Sequence, residues 1–101
     1  MNALTKNSVV TLAYYEQKDW TRFLALIDDR EHVCDTWEEW HHLYERSKKD
    51  LLAEGFIVKE QKVDLDELVE YCKNHGMKND GKARSQFVIE RRVANKGRHS
   101  Q

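Results

Sequence analysis

Proline is absent from the 101-residue chain, and glycine occurs only four times. With so few backbone breakers the chain favours helices over a turn-rich sandwich of short strands. Cysteine is scarce too. Cys34 and Cys72 could form at most one disulfide, and without an export signal the simpler expectation is two reduced thiols in a cytoplasmic protein. Long apolar runs are missing, so no segment approaches the ~20 residues that span a bilayer, and no membrane association is expected. The opening stretch "MNALTKNSVVTLAYY" has a short apolar patch and no convincing cleavage site. Glycine-rich phosphate loops are absent: "GKARS" has one glycine and lacks the spacing of a nucleotide-binding loop. No cofactor is expected.

What the chain does have is charge and aromatic rings. Charged residues are 35% of it and hydrophobic ones 40%, so one modest core must be economical. Three Trp, four Tyr and three Phe supply much of that core. The net charge of −1 hides a polarity: residues 73–101 carry +6 and the rest −7.

The local patterns predict a mostly helical α+β domain over residues 1–94, with 95–101 a disordered tail. Asp19 caps a helix over 19–29, where Trp20, Phe23, Leu24 and Ile27 share one face. Thr36 and Glu39 form a capping box that opens a helix over 36–54, and Gly55 stops it in the left-handed region. Asp64 and Glu67 form a second box for a helix over 65–75, with Leu65, Leu68, Val69 and Cys72 inward and Gly76 as its stop. Asp80 caps a last helix over 81–94. Between these lies a short strand, 56–63, rich in β-branched residues. A strand needs a partner. It pairs either with residues 9–14 of the same chain or with its own copy in a homodimer.

The succession "TWEEW", "GFIVKEQKVDLDELVEYCKNHGM" and "DGKARSQFV", over about residues 36–88, resembles a family of short bacterial proteins of unassigned function. The resemblance implies a bacterial, cytosolic origin. It carries no activity and no functional residues.

Four chemical readings compete. The first concerns "DTWEEWHHLY" (35–44), dense in tryptophan, histidine and acid. On a helical wheel Trp37, Trp40, Tyr44, Ser47 and Leu51 share a face, while His42, Glu38, Glu45 and Lys49 lie opposite. Adjacent histidines diverge by about 100° and cannot share a metal easily, so the stretch reads as core with a charged back. The second is a Cys₂His₂ metal shell from His32, Cys34, Cys72 and His75, set against the common role of buried cysteine as a small hydrophobe. The third is a Cys34 nucleophile beside His32, which lacks an orienting third group. The fourth is the basic C-terminal section: Lys82, Arg84, Arg91, Arg92, Lys96 and Arg98 are candidate contacts to a partner or to nucleic-acid phosphate. Against nucleic acid stand the slightly acidic total and the want of a helix-turn-helix or an aromatic RNA platform. The reading preferred is a non-enzymatic macromolecular interaction module that binds an unknown protein or itself. A nucleic-acid-associated regulator comes second, and a metal-binding or cysteine-dependent enzyme third.

Overall fold

The fold, a computed structural model, is described over residues 8–99, with side chains through 94. "VVTLAY" forms strand β1 (Val9–Tyr14) and "IVKEQK" forms β2 (Ile57–Lys62). The two pair in parallel within one chain, in a register that sets Val9 beside Ile57 and Tyr14 beside Lys62. Of the two expected arrangements, intrachain pairing is thus the one seen. Parallel strands need a long crossover, and residues 15–56 supply it with two helices, α1 (Trp20–Leu26) and α2 (Trp37–Ala53). After β2 come α3 (Leu65–Asn74) and α4 (Gly81–His99).

The sheet is covered on both faces, as parallel sheets usually are. Side chains alternate along a strand. Tyr14 meets Trp40 and Tyr44 of α2, and Glu60, on the same face, takes hydrogen bonds from Tyr44 and Lys48 of α2. Thr11, on the opposite face, accepts from Arg92 Nε of α4 at 2.8 Å. The helix α3 packs outside α4, where the Tyr71 ring stands edge-on to Phe87. The tightest core comprises Phe23, Val63, Leu68, Ala83 and Val88, with Tyr15, Trp20, Leu65, Cys72 and Phe87 around them.

The stop and start signals act as expected in most places. Thr36 and Glu39 bond reciprocally in a full capping box. Gly55 (φ 94°) and Gly76 (φ 61°) take left-handed backbone. Each ends its helix with paired bonds: Gly55 N–H to Leu52 O and Phe56 N–H to Leu51 O, then Gly76 N–H to Lys73 O and Met77 N–H to Cys72 O. Asp80 Oδ1 accepts from the Ala83 amide, capping α4.

Five local expectations are corrected. The second capping box is half made: Asp64 accepts from the Glu67 amide, but the Glu67 carboxylate is drawn to Arg91 of α4. Asp19 makes no side-chain cap, since a 3-10 turn (Gln17–Asp19) already leads into α1. The first helix ends at Leu26 rather than 29, because Asp28 is pulled out to pair with the loop at Asn79. Val69 is 37% exposed, since α3 buries only the narrower stripe of Leu65, Leu68 and Cys72. At the other end α4 runs past residue 94 to His99. A single glycine, Gly97, costs a helix about 1 kcal/mol without ending it. Residues 100 and 101 of the expected tail lie outside the described residues.

Candidate functional site

The stretch "DTWEEWHHLY" resolves into packing. Trp40 is the hub of a continuous aromatic cluster that includes Tyr14, Tyr15, Trp20, Phe23, Trp37 and Tyr44. Two of the three indole N–H groups bond to backbone: Trp37 Nε1 donates to Tyr15 O at 2.8 Å, and Trp20 Nε1 to Asp35 O at 3.3 Å. His41 stacks flat on Trp37, centroids 4.4 Å apart, with Nε2 3.5 Å from Glu45. His42 is exposed. The helical-wheel face is correct except at Ser47, which is exposed. Tyr44 O–H donates to Glu60 at 2.7 Å. Burial, and then the hydrogen bond to Glu60, hold this phenol far above its ordinary range. It remains neutral, suited to fixing β2 against α2.

Among the described residues, no three His, Cys, Asp or Glu side chains converge in a way that could hold a metal ion. The proposed shell is not assembled. Cys72 is buried in the core, where burial pushes its thiol up, while His32 and His75 are exposed. His75 lies against Tyr71, its Nδ1 2.8 Å from Tyr71 O. Cys34 is half-buried, and His32 Nε2 is turned to Glu31 at 3.6 Å.

The basic residues divide sharply. Arg84 is 8% exposed and is a structural cation. Its guanidinium makes a two-pronged pair with Asp29 (Nη1–Oδ1 3.0 Å, Nη2–Oδ2 2.8 Å) and also donates to Asn79 O at 2.9 Å. That pair holds the Asp29 carboxyl below its usual range. Asp28 completes the clamp: its N–H donates to Asn79 O, and its carboxylate accepts from the Asn79 amide at 2.8 Å. Arg91 pairs with Glu67, and Arg92 with Thr11. Lys82 is exposed. The side chains of Lys96 and Arg98 lie outside the described residues. The wheel position of Arg84 was a usable signal, because it lies between Ala83 and Phe87–Val88 on the inward face.

What the sequence did not reveal is a pair of adjoining grooves. The larger, about 760 Å³, lies between residues 30–35 and the start of α2. Its floor has Val33, Cys34 and Leu43, and its rim has Glu31, Asp35, Glu38 and Glu39. Among the described residues the one Lys or Arg in the rim is Arg30, and it is already paired with Asp35 at 2.6 Å. The smaller, about 360 Å³, shares Val33, Cys34 and Leu43 and continues to β1, walled by Trp40 of α2 and by Ser85 and Val88 of α4. Leu43, at 50% exposed, stands where the two meet.

In comparison with known proteins, no family model, no curated protein and no solved structure matches the chain. No described helix is long and apolar enough to cross a membrane.

Proposed function

We propose that the chain is a non-enzymatic interaction module that binds another macromolecule, and that it works in the cytoplasm of a bacterium. The observation that carries this reading is the open, carboxylate-rimmed groove with Leu43 and Cys34 in its floor. An apolar centre inside a polar rim is the usual composition of a protein-binding surface. The side chains around it suit binding. Trp40, which walls the adjoining smaller groove, is locked into packing by Trp37 and Tyr44, so it loses little freedom when a partner docks. The bacterial setting comes from the resemblance over residues 36–88 and is part of the same proposal.

The nucleic-acid reading has weaker support. Arg84, Arg91 and Arg92 are engaged inside the fold, and a cation that is already paired releases fewer counterions on meeting phosphate. Affinity capture of the tagged protein from bacterial lysate, with and without nuclease, followed by mass spectrometry, tests both. A partner that survives nuclease and is lost on Leu43→Arg is expected. Partners that disappear with nuclease and persist in Leu43→Arg would overturn the reading in favour of nucleic acid.

A further inference from the structure

Among the described residues the sheet has two free edges, and they differ in kind. The bonds at the ends of the ladder, Ile57 N–H to Ser8 O and Val63 N–H to Tyr14 O, fix its phase. In a parallel pair, bonding alternates along each strand. Residues 8, 10, 12 and 14 therefore turn their backbone towards β2, and Thr11 and Ala13 turn theirs away. Among the described residues nothing hydrogen-bonds the outward N–H and C=O groups of Thr11 and Ala13. Both residues are half-buried and line the smaller groove.

Edge strands are normally protected by charge. The edge of β2 follows that rule, with Lys59, Glu60 and Lys62 along it. The edge of β1 does not: "VVTLAY" is uncharged throughout. A two-stranded sheet is also small for an independent one. An uncharged edge, recessed in a groove between two helices, is an unfilled place in a sheet.

We infer that the free edge of β1 accepts an extended peptide segment as a third strand, with apolar or small side chains at alternating positions and a lysine or arginine at the end beside Leu43. The inference rests on the interaction-module reading and specifies its partner. Only extended backbone presents donors and acceptors at the spacing that Thr11 and Ala13 need. The alternation follows from the walls. Successive side chains of an added strand point to opposite faces, one towards Trp40 and Leu43, the other towards Ser85 and Val88. The basic end follows from charge, because beyond Leu43 the rim holds Glu31, Asp35, Glu38 and Glu39 against one paired arginine. A second copy fits less well. Its own β1 has no basic residue to match that rim.

The test uses the full chain and a phage-displayed library of random linear peptides. Leu43→Arg and Ser85→Arg obstruct the groove from its two walls at exposed positions, and circular dichroism checks that both still fold. The expected peptides alternate apolar residues and end in lysine or arginine. They slow amide exchange at Thr11 and Ala13 and lose at least roughly tenfold in affinity with either variant, and salt weakens them. The inference is overturned if no peptide is enriched, if the enriched peptides ignore both variants, or if Thr11 and Ala13 are protected by self-pairing in a dimer. Lysate capture separates the two levels. A nuclease-resistant partner kept by both variants leaves the module reading standing without this site, and failure in both experiments removes both.

Discussion

Replacing Arg84 by methionine tests whether a residue from the basic section is structural. Methionine keeps most of the stem that packs over Phe23, where the guanidinium carbon lies 5.4 Å from the ring centre, and removes the charge. Asp29 would then keep a carboxylate that is 16% exposed, without its counter-ion, and Asn79 O would lose one of its two donors, keeping the Asp28 N–H. Breaking a buried pair from one side costs about 3–5 kcal/mol. The remaining water at Asp29 places this case near the lower end, about 3 kcal/mol. For a domain this size that is a fall in Tm of roughly 12–24 °C. The sign of the pH dependence follows from Asp29. Its folded pKa lies below the unfolded value, so the pair stabilises above pH ~4, and that contribution is lost as pH falls through the folded value. In Arg84→Met the depression is gone, and protonation relieves the stranded charge. The gap between the two proteins should therefore narrow towards pH ~4. Urea unfolding followed by tryptophan fluorescence measures it at both ends. The double variant Asp29→Asn/Arg84→Met should be less destabilised than the sum of the single ones. A cost under about 0.5 kcal/mol at neutral pH, or a gap that does not narrow in acid, refutes the account.

Three further outcomes are expected. Gly76→Ala meets open space but must hold φ at +61°, so it should lose about 1–2 kcal/mol through backbone strain alone, with Gly76→Asn losing less in the same urea titration. Thr36→Ala removes the acceptor for the Glu39 amide and should cost about 1 kcal/mol; an unchanged midpoint would mean that the box is ornamental. Burial pushes the Tyr15 phenol up to about 12, so its contribution is complete below pH ~10, the ordinary tyrosine value, and is lost as pH rises towards 12. Tyr15→Phe should flatten the alkaline arm of the stability profile, and an arm of unchanged slope would count against the assignment.

Local chemistry was readable from the sequence, and partnership at a distance was not. Thr36, Gly55, Gly76 and Asp80 act within a few residues of themselves, so their spacing alone predicts what they do. The same is true of Trp37, Trp40 and Tyr44, whose helical spacing already separates core from solvent. Arg84 fails for the opposite reason. Its partner Asp29 lies 55 residues away, and a basic residue in a basic segment offers no local sign of that. Glu67 shows both cases at once: its amide meets Asp64 as local spacing requires, and its carboxylate leaves the box for Arg91 of another helix. The parallel sense of the sheet was hidden likewise, because it depends on how the crossover from 15 to 56 packs.

Those distant pairings change what the charge polarity can mean. In the sequence the basic C-terminal section faces an acidic body as if the two were separate poles. In the fold, Arg84 and Arg91 close onto acids of that body, Asp29 and Glu67. Part of the polarity is therefore consumed in holding α4 to the loop after α1 and to α3, and the surface field is weaker than the sequence totals suggest. The carboxylates left without such partners are then the informative ones. Among the described residues, Glu31 is exposed with only His32 beside it, and Glu38 meets only the neutral amide of Gln17. Both border the groove that leads to the uncharged edge of β1. Unspent negative charge next to an unfilled backbone edge selects a basic, extended partner, and for this reason the groove has a stronger claim than the basic section to be the working surface.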